Sequence, residues 1–113
     1  MSLNEEFLLD VFKVALMNKS NFELVLNNVK DTYISNEQLR NIWIQFKKLY
    51  RKDNKVPLVV QAMQLLEENN KNNKFAKDLT YLENIQRREL EESTEEQIFD
   101  SLESYIKQAA LVE

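Results

Sequence analysis

The chain has 113 residues, 43% of them apolar and 30% charged with both signs interspersed, which fits one globular domain with a modest core. It contains no Gly, no His and no Cys. The first absence argues against sheet folds and removes phosphate loops and dinucleotide fingerprints, and the other two remove common zinc sites, thiol nucleophiles and Ser-His-Asp triads. The net charge of −4 does not favour nucleic acid, and no apolar run approaches the ~20 residues of a membrane span.

In chain order the pattern predicts about six helices. The first runs from about Asn4 to Asn18, with Phe7, Leu8, Val11, Phe12 and Ala15 at helical spacing. Ser20-Asn21-Phe22-Glu23 reads as a capping box that opens a short second helix, Asn21 to Lys30, with Phe22, Val25, Leu26 and Val29 inward. The connector Asp31-Thr32-Tyr33-Ile34 is expected to seal the bottom of the core with its Tyr and Ile.

Ser35-Asn36-Glu37-Gln38 is a second box, and the third helix is expected over about Asn36 to Lys52. Leu39, Ile42, Trp43, Phe46, Leu49 and Tyr50 make it the most apolar long helix, so it is expected at the centre of the domain. Asp53-Asn54-Lys55 breaks the rhythm. Pro57 then suits a first helical position and opens a fourth helix to Asn69, carrying Leu58, Val59, Ala62, Met63, Leu65 and Leu66.

Asn69 to Lys74 is the most loop-like stretch. A fifth helix is expected from about Lys74 to Gln86, with Phe75, Leu79, Leu82 and Ile85 on one stripe. Arg87 to Glu92 either continues it or forms a link. Ser93-Thr94-Glu95-Glu96 is the third capping box, and the last helix is expected from Thr94 to about Leu111. Ile98, Leu102, Tyr105, Ile106 and Ala109 form its stripe, which Phe99 and Ala110 widen.

The fold class is therefore all-α: a compact bundle of about six helices with a C-terminal helical hairpin. One domain covers 1–113, with a globular part at about 4–73 and the hairpin at about 74–112. The hairpin either completes a single six-helix core or leaves apolar surface for self-association or a partner groove. Its candidate contact residues are Leu79, Leu82, Phe99, Leu102 and Ile106.

Two charged clusters have plain and functional readings. Lys47, Lys48, Arg51, Lys52 and Lys55 complement a helix C-terminus or contact phosphate. Glu89, Glu91, Glu92, Glu95 and Glu96 complement a helix N-terminus or, less simply, hold a metal. Trp43 reads as core, and Tyr81 lies off its helix's main stripe. No EF-hand loop is present, and no catalytic residue, cofactor or metal is expected. Met1-Ser2-Leu3 leads directly into Glu5-Glu6, so no signal peptide is read, and a cytoplasmic location is expected. An opening Met-Ser-Leu also suits an excised fragment.

The ordered motifs resemble the N-terminal domain of replicative hexameric DNA helicases of the DnaB type, particularly divergent phage versions, from about Leu8 to Leu111. Ala15 to Phe22 looks like that family's first helix and link, and Asp31 to Ser35 is similar to the link into its central helix. Ile42 to Tyr50 looks like the central helix itself. Asn54-Lys55-Val56-Pro57 resembles the family's turn before the next helix, and Tyr105 to Leu111 resembles its last helix. Asn69 to Asn73 stands where many cellular members have Gly, which favours a phage-like source.

The resemblance implies a non-catalytic collar domain of an ATP-dependent helicase whose motor lies elsewhere. Its hairpins would pair copies into dimers within a hexamer, and it would dock primase or a helicase loader during DNA replication. DNA would be met only through the motor, and no membrane is involved. The alternatives are a helicase-binding domain of a primase or loader, and a small helical nucleic-acid-binding regulator using the Lys47 to Lys55 cluster.

Overall fold

The computed structural model describes residues 4–69, 75–90 and 92–112, without the side chains of residues 69, 75–77, 92–94 and 109–112. Six α-helices and one 3-10 turn make up the described residues, with no strand among them. The helices are α1 (Glu5–Ala15), α2 (Lys19–Asn28), α3 (Glu37–Asp53), α4 (Val59–Asn69), α5 (Phe75–Arg87) and α6 (Glu92–Val112). The 3-10 turn, Asp31–Tyr33, joins α2 to α3. The expected all-α bundle of six helices is the observed architecture.

Asparagine supplies most of the corners. Asn4 caps α1 by accepting from the Glu6 and Phe7 amides at 2.9 and 3.3 Å. α1 ends at Ala15, short of the expected Asn18, because Asn18 already serves α2, accepting from the Asn21 amide at 2.8 Å. The box at Ser20 is thus displaced by two residues. The box at Ser35 is displaced by one: Asn36 is the cap and accepts from the Leu39 amide at 3.1 Å. Asn ranks with Ser as a cap, so the Ser-x-x-Glu spacing alone does not choose between neighbours.

At the far end of α3, Asn54 takes the left-handed conformation (φ 53°, ψ 34°), and its amide bonds to the Tyr50 carbonyl at 2.7 Å. It is the sole residue of positive φ among the described residues. The fourth helix begins at Val59 and not at Pro57. The Leu58 carbonyl accepts from the Gln61 and Ala62 amides, and the Gln61 side chain reaches back to accept from the Leu58 amide at 2.9 Å. That is half of a capping box, with Leu58 at the cap and no side-chain oxygen to complete it. α6 starts two residues before the expected Thr94, so Ser93 lies inside the helix.

The core is continuous. Leu8, Leu9, Val11, Phe12, Val14 and Ala15 of α1 are all buried, so α1 is covered nearly all round. It packs against α2, α3, α5 and α6. The structural hub is therefore α1, while α3, expected at the centre, supplies the largest side chains. Trp43 is fully buried as expected, stacked on Phe12 at 5.3 Å between centroids and tilted against Phe22 at 5.3 Å. Phe46 meets Phe12 edge-on at 6.3 Å, and Tyr50 stacks on Phe22 at 4.6 Å. Tyr33 and Ile34 are buried below them, as the connector's composition predicts.

Beyond this aromatic nucleus, α5 packs on α1, α3 and α4, with Leu82 and Ile85 fully buried. α6 lies on α1, burying Ile98 and Leu102. Expectations for the loop at 70–74, for Glu91, and for the Phe75, Glu92, Ser93, Thr94, Ala109 and Ala110 side chains fall outside the described residues.

Candidate interaction surfaces

Among the described residues, two surface depressions are lined largely by apolar side chains. The first is a groove of about 380 Å³ between α2 and α6. Its floor is Leu24 from α2 with Phe99, Leu102 and Ile106 from α6. Asn28, Asp100, Glu103 and Lys107 form the rim. Leu24 is 45% exposed, whereas Phe99 and Ile106 are half-buried against the core. Glu103 and Lys107 pair along the helix at 3.1 Å.

The five candidate contact residues separate. Leu82 and Leu102 are core residues, at 0% and 2% exposure. Leu79 is half-buried on α5 and does not line the groove. Phe99 and Ile106 meet there with Leu102 beneath them, and Leu24 joins them from a helix whose apolar stripe did not include it.

A buried amide holds α6 in place. Asn21, 9% exposed, donates through Nδ2 to the Val14 carbonyl at 3.2 Å and to Glu95 Oε1 at 2.6 Å. It thereby ties α1, α2 and the first turns of α6 together. Tyr33 and Tyr105 meet edge-on at 5.7 Å farther along α6. Burial, with the neighbouring Tyr33, pushes the Tyr105 hydroxyl above its ordinary pKa.

The link between α5 and α6 is anchored by Arg88, whose guanidinium pairs with Asp10 at 2.7 Å and also with Glu6, both on α1. Burial disfavours its charge, but hydrogen bonds to Glu6 and Asp10 outweigh that and leave its pKa raised. The Tyr81 hydroxyl, raised chiefly by burial, accepts from Asn36 Nδ2 at 3.1 Å, so the ring is tied to the start of α3.

The second depression, about 350 Å³, lies where the end of α1, the start of α4 and the end of α5 converge. Met17, Leu58 and Val60 are 49%, 65% and 50% exposed around it. Leu58 was expected within the fourth helix; as the cap residue it stands outside the helical periodicity and points to solvent. The sequence did hold a signal. Leu58-Val59-Val60 are consecutive, and three successive helical positions sweep too wide an arc to face one core.

The charged clusters divide as well. Lys47 is half-buried and pairs with Asp31 at 2.5 Å, while Lys48, Arg51, Lys52 and Lys55 are exposed. In the acidic run Glu95 is taken by Asn21. Among the described residues no group of three or more acidic side chains is placed to hold a metal ion. No helix among them is long and apolar enough to cross a membrane.

No protein-family model matches the chain, and no curated protein or solved structure does either. The resemblance to DnaB-type helicase domains is corrected on that finding: its assignments to DNA replication, to a helicase and to a phage source are withdrawn. Its motifs are amphipathic helix patterns and one Val-Pro turn, which any helical bundle of this size can present.

Proposed function

We propose that the chain is a helical association module that pairs with a second copy through the α2–α6 groove and carries no chemistry of its own. The observation behind this reading is the groove itself, with Leu24, Phe99 and Ile106 partly open to solvent above a buried Leu102. Apolar anchors inside a polar rim are the usual anatomy of a protein contact.

The spacing along α6 suits a two-fold pair. An antiparallel arrangement centred between Leu102 and Glu103 sets Phe99 against Ile106 of the second copy, with Asp100 within one helical turn of Lys107 of the second copy. Both matches recur by symmetry, as a self-complementary interface requires. Salt bridges at such a rim steer and orient more than they tighten.

Sedimentation across a concentration series tests the proposal. The unaltered chain is expected to show a monomer–dimer equilibrium. Phe99→Asp and Leu24→Asp are each expected to shift it to monomer while keeping the helical circular-dichroism spectrum, since Leu24 bears little of the core. A chain that stays monomeric at every concentration, or variants that dimerise unchanged, would overturn it.

A further inference from the structure

The last helix is fastened apart from the aromatic nucleus. The rings of Phe12, Phe22, Trp43, Phe46 and Tyr50 all belong to α1, α2 and α3, so the nucleus is complete without α6. Among the described side chains of α6, Ile98 and Leu102 are the buried ones. The chain before it is held separately: Arg88 pairs with Asp10 at 2.7 Å and with Glu6, and donates to Asn84 Oδ1 at 2.8 Å. Release of α6 therefore leaves α5 and the nucleus their own contacts, which is what a locally opening unit requires.

The seat beneath α6 is marked at both ends. At one end Asn21, 9% exposed, donates to Glu95 Oε1 at 2.6 Å. At the other the Tyr33 ring meets Tyr105 edge-on at 5.7 Å. Ten residues of helix, about 15 Å, separate the two marks. A helix that fills the seat must carry a carboxylate, as Glu95, then apolar side chains three and seven residues on, as Ile98 and Leu102, then an aromatic at ten, as Tyr105. α6 is such a helix, and a second copy of the chain brings another.

We infer that this seat accepts the α6 of a second copy in place of the chain's own, so that two copies associate by exchanging their last helices. Exchange restores the contacts that release breaks. What opposes it is the local concentration of the tethered α6, on the order of mM. The inference does not rest on pairing through the α2–α6 groove, which leaves both α6 helices in place.

Leu102→Asp empties the seat without altering it, and it also removes the floor of the groove, so binding to this variant is not groove pairing. By hydrogen exchange the variant is expected to lose protection along α6 and keep it in α1 to α5. The milder Glu95→Ala is expected to speed exchange about tenfold along α6 alone. A synthetic peptide of residues 92–112 is expected to bind the Leu102→Asp chain saturably and shift the resonances of Asn21 and Tyr33. Its own Glu95→Ala form is expected to bind about tenfold more weakly. For exchange between whole chains, Phe99→Asp, which blocks groove pairing, is held at a concentration on the order of mM and then diluted. A dimer that parts slowly is expected, because both α6 helices must leave their seats before it can. Loss of protection in all six helices together, no peptide binding, or equal binding of the two peptides overturns the inference. So does a Phe99→Asp chain that is wholly monomeric as soon as it is diluted.

Discussion

Along α3, Leu39, Ile42, Trp43, Phe46 and Tyr50 are all buried, and their neighbours on α1 and α2 are buried too. Along α6, by contrast, Ile98 and Leu102 are the buried positions among the described residues, while Phe99, Tyr105 and Ile106 keep part of their surface. Both helices are amphipathic with a wide apolar stripe. What separates them is how many neighbours each has. α3 lies against α1, α4 and α5, whereas the principal helix neighbour of α6 is α1. A stripe wider than the contact available to it leaves apolar area over, and that surplus forms the groove.

The comparison can be broken most forcefully from the α3 side. Trp43→Ala removes the ring that Phe12 and Phe22 stack on, and is expected to cost about 3–5 kcal/mol in denaturant unfolding. A loss well under that would mean the aromatic nucleus collapses readily onto the gap. Next comes the tie between the two regions. Asn21→Ala strips Glu95 and the Val14 carbonyl of their shared donor, and is expected to cost about 1–3 kcal/mol. Hydrogen exchange should rise at the start of α6 more than in α3; uniform acceleration would show that the amide does not set α6 apart.

The smallest effect concerns pH. The Tyr50 hydroxyl donates to Glu23 at 2.5 Å, and that bond, with burial and the carboxylate's charge, raises its pKa above the ordinary value near 10.0. A raised pKa means that the folded state holds the proton more firmly than the unfolded chain does. This contribution is therefore fully present below the unfolded value and is lost as pH rises through the folded one. Stability is expected to decline above about pH 10. Tyr50→Phe should make that decline shallower, and an unchanged slope would assign it to Tyr81 and Tyr105, whose values are raised as well.

The nucleus was legible because it is local. Phe12, Trp43 and Phe46 are the apolar positions of strongly periodic helices, and periodicity reports which residues turn inward. The caps were less legible, since Asn18 and Asn36 compete on equal terms with Ser20 and Ser35. The groove was half legible: Phe99 visibly widens a stripe that already holds Ile106, but Leu24 belongs to a distant helix and Leu82 is consumed by the core. The α1–α4–α5 hollow was hidden, because Met17, Leu58 and Ile85 come from three separate segments that only the tertiary packing brings together.

The central place of α1 has a consequence for synthesis. It leaves the ribosome before the other five helices of the bundle, yet two of the four helices it packs against, α5 and α6, are the last two of those six. Leu8, Leu9 and Phe12 therefore stay only partly covered until the chain beyond Ile85 has emerged. Such transiently bared apolar surface is what chaperones recognise and what aggregates when translation stalls. A ribosome paused near Asn69 would hold out a chain whose hub has been made before two of the helices that enclose it.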